Sequence, residues 1–202
     1  MGILGGSVQA QPEFLREAVE WRGSPEWRAM DDAFRDGDEA RILELMAAHP
    51  EVGRAYSPPF TSALAWAAGT GATNLLATLI GQGALERERT RGDLGPGTAV
   101  RLAVETGWAS CLEMLLKAGA DPNGGEGPWP SPLEQAIQSR GGGGGRFGMR
   151  NAPSYERDRV IRLLMGAGAN LFAPRYPTET GRPSDYFVGY PVDTWDLVLT
   201  NA

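Results

Sequence analysis

Residues 97–123, GTAVRLAVETGWASCLEMLLKAGADPN, decide how this chain folds. Thr98 stands where an N-cap would open a helix at Ala99, Ala103 gives that helix a small flat face, and Gly107 breaks it. A second helix follows at once. Cys111, Leu112, Leu115 and Leu116 fall at i, i+1, i+4 and i+5, an apolar stripe at helical period, and Gly119 supplies the left-handed residue that ends it. A helix–turn–helix of about thirty residues cannot bury its own apolar face and needs similar units on either side.

Those units are present. Ala103 and Gly107 align with Ala67 and Gly71 upstream, and these with Ala33 and Gly37. Behind each glycine the apolar pairs recur: Leu115 and Leu116, Leu79 and Ile80, Leu45 and Met46, with Gly119 answering Gly83. A further unit starts at Ser131-Pro132-Leu133, resumes at Val160–Leu164 and closes at Gly168-Ala169-Asn170. The units recur every 33 to 36 residues, the mark of a stacked repeat architecture. The spacing predicts helices at 26–35, 39–48, 63–69, 73–81, 99–105, 109–117, 132–139 and 155–166, with Leu163 and Leu164 forming the last buried pair.

With these elements in phase, residues 26–173 resemble an ankyrin-repeat protein. The family's Thr-Pro-Leu-His box is met as Ser62-Ala63-Leu64-Ala65, Thr98-Ala99-Val100-Arg101 and Ser131-Pro132-Leu133-Glu134. Its closing Gly-Ala-Asp-x-Asn is met as Gly119–Asn123 and Gly168–Asn170. Ala65, Arg101 and Glu134 replace the box histidine, so the hydroxyl-to-imidazole link between repeats is absent and the array is diverged. The resemblance implies an all-α solenoid of about four units, with inner helices and loop tips lining a concave groove. It places Phe60, Thr61, Pro96, Trp129 and Pro130 at the loop edge, and Trp66, Gly69, Thr70, Glu105, Thr106 and Gln138 along the inner helices.

The ends complete this plan. Pro12 opens a helix through 22, carrying Phe14, Leu15, Ala18, Val19 and Trp21, which covers the first repeat behind a glycine-rich start; together they make an N-terminal region of residues 1–25. Residues 174–202, with Tyr176, Tyr186, Phe187, Tyr190 and Trp195, read as an aromatic C-terminal cap. Residues 53–61 form the first inter-repeat connection, and Pro58 and Pro59 keep it extended. The last unit carries a 16-residue insertion, glycine-rich over 141–154, read as a flexible excursion because it lacks the Lys-Ser/Thr ending of a phosphate loop.

Composition narrows the function. A net charge of −6 argues against a nucleic-acid surface, because sequence-independent affinity for phosphates comes from clustered Lys and Arg. No run of about eighteen apolar residues predicts a membrane span, and the start, MGILGGSVQA, is unlike a signal peptide. A cytoplasmic, reducing setting is expected for the chain, with Cys111 as an inert core thiol. His49, the sole histidine, sits at a helix C-terminus, where the dipole favours it, and leads to no metal or nucleophile site. No cofactor is expected.

The leading expectation is a protein-binding adaptor or inhibitor that holds a partner through Phe60, Thr61, Trp66, Thr70, Glu105, Thr106, Trp129 and Gln138. The alternative is an enzyme or small-molecule binder that uses the groove as a pocket. Its acid–base groups would be Glu105, Glu134, Tyr56 and Arg101.

Overall fold

The computed structural model describes residues 23–56, 62–90, 97–124, 130–138, 152–153 and 156–170. Every regular element among them is helical, and the contacts divide the chain into two units, Met1–Pro59 and Phe60–Ala202. The expected cap helix at 12–22, Phe60, Thr61, Trp129, the glycine run and the segment from 171 onward lie outside the described residues.

The first unit contains α1 (Pro25–Asp36), α2 (Glu39–Ala48) and α3 (Pro50–Ala55). Ser24 starts α1 by accepting from the Trp27 N–H at 3.0 Å, with Pro25 in the first turn, where its missing N–H costs nothing. Asp38 does the same for α2, accepting from the Arg41 N–H at 2.9 Å. Met30, Ala33 and Phe34 of α1 are buried, as are Ile42, Leu45 and Met46 of α2. Helix α3 corrects the expected connection, since residues 53–55 are helical. Pro50 at its first position and Gly53 explain this: a Cβ on Gly53 would lie 2.9 Å from Met46 Cγ, so only glycine lets α3 approach α2 so closely. His49 caps the end of α2 with its backbone N–H on the Leu45 carbonyl, 2.8 Å away.

The second unit contains α4 (Ala63–Thr70), α5 (Thr73–Gly81), α6 (Ala84–Thr90), α7 (Thr98–Thr106), α8 (Ala109–Lys117), α9 (Pro132–Gln138) and α10 (Arg157–Gly166). Three antiparallel pairs, α4–α5, α7–α8 and α9–α10, stack in two layers. Helix α7 lies between α4 and α9 in one layer, and α8 between α5 and α10 in the other. The α4–α7 contact is the most extensive. It is lined by Ala65, Ala67, Ala68, Ala99 and Ala103, all fully buried, whose small side chains let the two backbones come close. Helix α6, absent from the expected set, packs against α4 and α5.

The seam of the second layer is narrower than the expected pairs. Leu75, Leu76 and Leu79 of α5, Cys111, Leu112 and Leu115 of α8, and Val160, Ile161 and Leu164 of α10 are buried. Ile80, Leu116 and Met165, the next residue in each helix, are only half-buried. At about 100° per residue, positions i, i+1 and i+4 span one flank, and i+5 falls at its rim. The pair Leu163–Leu164 is also one residue out of phase. Leu164 is the equivalent of Leu115, and Leu163, aligned with Met114, is half-exposed.

This seam predicts opposite outcomes for adjacent leucines. Leu115→Ala should destabilise the fold by about 2–5 kcal/mol in denaturant unfolding, as expected for a cavity in a core. Leu116→Ala should cost clearly less, because its side chain already meets water.

Candidate functional site

The first layer of the second unit offers the surface on which most of the expected binding residues fall. Ser62 caps α4 through the Ala65 N–H at 3.0 Å, and Ser131 caps α9 through the Glu134 N–H at 3.2 Å. Both hydroxyls cap the first turn of their helices. Helix α7 departs from this pattern. Thr98, expected as its cap, is its first helical residue, and the cap position belongs to Gly97, which has no side chain to accept a bond.

The missing acceptor comes from another helix. Glu88 of α6, only 5% exposed, accepts from the Ala99 N–H at 2.9 Å. A carboxylate is favoured there by the unpaired N–H groups and the helix dipole. Arg101 lies one turn further along α7, donating through Nη1 to the Gly124 carbonyl at 2.6 Å and through Nη2 to Thr98 Oγ1 at 3.1 Å. Burial pulls the Arg101 guanidinium below its usual range, and attraction to Glu88 offsets part of that. Gly97 and Gly124 close the cluster. A Cβ on Gly97 would fall 2.3 Å from the Gly124 backbone, so this contact excludes any side chain.

The surface of this layer carries Trp66 and Thr70 on α4, Glu105 on α7, and Gln135 and Gln138 on α9. Trp66, Thr70, Glu105 and Gln135 are half-buried, and Gln138 is exposed. Gln135 Nε2 donates to Glu105 Oε2 at 3.5 Å, a link between neighbouring helices that joins residues thirty positions apart. The Thr70 hydroxyl is used locally, donating to the Trp66 carbonyl at 2.8 Å. Thr106, expected on this surface, is 1% exposed and donates to the Leu102 carbonyl at 2.7 Å, so it belongs to the interior. Its own carbonyl accepts from the Ala152 N–H at 2.8 Å, where the insertion returns.

The four acid–base candidates are not brought together. Tyr56 belongs to the first unit, where it is 4% exposed, stacked on Phe34 and tilted against Trp27 with both ring centroids at 4.9 Å. Its hydroxyl donates to Asp31 Oδ1 at 2.9 Å, and burial, helped by that bond, pushes its pKa well above the ordinary tyrosine value. In the second unit Glu134 is fully buried and accepts from Gln138 Nε2 at 3.3 Å, while Arg101 is engaged with Gly124 and Thr98. Among the described residues no group of His, Cys, Asp and Glu could hold a metal ion.

Glu88, Gln135 and Trp108 escaped the sequence reading. Trp108 follows the turn glycine of α7–α8 and lies against the preceding turn, 2.6 Å from where a Cβ on Gly71 would sit. The only sequence signal was the glycine at 71 facing a tryptophan one period later. No family model, curated protein or solved structure matches the chain.

Two outcomes test this geometry. Glu88→Ala should destabilise by about 1–3 kcal/mol, because it strands a buried N–H, and Glu88→Gln should cost less because it keeps an acceptor. The Tyr56 hydroxyl has a raised folded-state pKa, so its contribution is full below the unfolded value of about 10 and is lost as pH rises towards the folded one. Tyr56→Phe should therefore cost about 1 kcal/mol at pH 7. In alkaline melts above about pH 10, wild type should lose stability faster than Tyr56→Phe.

Proposed function

We propose that the chain is a protein-binding adaptor or inhibitor built on a diverged ankyrin-like array, and that its partner is held on the first layer of the second unit. The observation that carries this reading is the row of Trp66, Glu105, Gln135 and Gln138, spread over three adjacent helices and all open to water at least in part. An incompletely buried tryptophan among carboxamides and a carboxylate is the composition of an interaction surface: one apolar anchor surrounded by groups that fix register. The rigidity beneath the row suits binding. Fully buried alanines clamp α4 to α7, and the Glu88 cap and Arg101 clasp hold the start of α7.

Support for the pocket-enzyme alternative is weaker. Tyr56 is occupied in the packing of the first unit, and Arg101 and Glu134 serve the interior of the second. Of the four candidates Glu105 alone combines a carboxylate with access to solvent, and general acid–base chemistry needs more than one positioned group. No described helix is long and apolar enough to cross a membrane.

The test is quantitative capture of interacting proteins by the purified chain, followed by affinity measurement for each protein retained. Trp66→Ala should weaken the specific partner at least tenfold, about 1.4 kcal/mol, as an anchor does. Glu105→Gln should act mainly on the association rate, and Arg162→Ala on α10 should change nothing. Binding that is indifferent to both Trp66 and Glu105, with the fold intact, would overturn the proposal.

A further inference from the structure

Asn123 and Gly124 form the chain's single Asn-Gly pair; its other asparagines precede Leu75, Ala152, Leu171 and Ala202. The pair carries its own chemistry. With no side chain on the glycine to hinder ring closure, the glycine nitrogen reaches the asparagine carboxamide more readily than the nitrogen of a leucine or alanine does. In the fold both reacting groups are held. The Gly124 N–H donates to the Asp121 carbonyl at 3.0 Å, and the Asn123 carboxamide oxygen accepts from the Asn170 N–H at 2.7 Å. The Asn123 N–H donates to Asp121 Oδ1 at 2.9 Å, and Arg101 Nη1 donates to the Gly124 carbonyl at 2.6 Å. Gly124 itself is buried at a φ of 70°. A Cβ on it would fall 2.9 Å from Pro132 Cγ, and a Cβ on Gly97 would fall 2.3 Å from its carbonyl carbon.

We infer that Asn123-Gly124 is a site of hydrolytic self-modification that the fold keeps closed, and that the isoaspartate formed when it opens cannot be taken back into the junction. The reactants are the chain and water. Once the Asp121 and Asn170 bonds are released, the Gly124 nitrogen gives its proton to solvent and attacks Asn123 Cγ. The N–Cγ bond forms, the Cγ–Nδ2 bond breaks, and the nitrogen takes up a proton and leaves as ammonia. Water then opens the succinimide. Cleavage of the N–Cγ bond gives aspartate, whose carboxylate still offers an acceptor to the Asn170 N–H. Cleavage at the main-chain carbonyl gives isoaspartate, which adds a methylene to the backbone directly before Gly124. The contacts with Gly97 and Pro132 leave no room for even one Cβ, so that methylene displaces Gly124 and draws its carbonyl away from Arg101. The start of α7 loses its clasp, and the change is one-way. This inference rests on the junction and not on the binding row.

Ageing the full-length chain in mildly alkaline buffer, with and without denaturant, tests it. The readout is the tryptic peptide 118–140, in which Asn123 is the sole asparagine. In denaturant this peptide should lose ammonia before any other that contains asparagine. In the folded chain its reaction should be slower by about tenfold or more, because only the locally opened state reacts. Arg101→Gln should speed the folded reaction and leave the denatured rate unchanged. Aged protein that an isoaspartyl methyltransferase labels at this peptide should melt at a lower Tm than Asn123→Asp. Equal rates in folded and denatured chains, another asparagine reacting first in denaturant, or isoaspartyl protein that melts with Asn123→Asp would each overturn the inference.

Discussion

The reversals α1–α2, α4–α5 and α7–α8 each turn on one bond made possible by one backbone conformation. Gly37, Gly71 and Gly107 adopt φ values of 73°, 80° and 82°, and their N–H groups cap the carbonyls of Ala33, Ala67 and Ala103. A left-handed residue at that point satisfies a carbonyl that the helix leaves open and turns the chain into the next helix after a link of two residues. The alanine that supplies the carbonyl is in each case buried, so the residue that ends the helix is also the one that lets its neighbour approach. Turn and packing are thus specified together.

From that constraint the layers follow. Short helices reversed by tight turns have two flanks to cover, and stacking covers them with equivalent surfaces: alanines in the first layer, and the three-residue stripe ending at Leu79, Leu115 and Leu164 in the second. Polar bonds then tune the spacing. Exposed charges span the second layer where Arg159 of α10 bonds Glu113 of α8 at 3.0 Å, and Glu113 also accepts from Lys117 at 2.7 Å. Lys117 first, and then Arg159, hold the Glu113 carboxyl below its usual range, and a pair this exposed is screened by salt.

Positions 65, 101 and 134, equivalent in the three units, carry three different side chains. Where a uniform array would repeat one link, this chain uses a different device at each step: Ala65 packs flat, Arg101 reaches across to Gly124, and Glu134 is buried outright. Among the described residues, Trp66 is the tryptophan that this layer exposes in part.

What the sequence by itself determined is whatever depends on neighbours in the chain. Eight of the ten described helices and the turn glycines at 37, 71 and 107 are local matters, set by the period of small and apolar residues, and were legible; α3 and α6 were not. Tertiary structure decided the rest, because it depends on groups far apart in the chain. Glu88 caps a helix eleven residues on because α6, packed on α4 and α5, brings its carboxylate to the start of α7; nothing in the run ALERERT announces an acceptor. Gly97 and Gly124 read as ordinary loop glycines until their backbones meet. Thr106 occupies the position expected of a surface threonine and is interior, and Tyr56, a candidate acid, is an aromatic wedge bonded to Asp31. Burial and charge pairing are sums over three-dimensional neighbours, and a pattern along one dimension carries only the part of that sum contributed by residues within a turn or two.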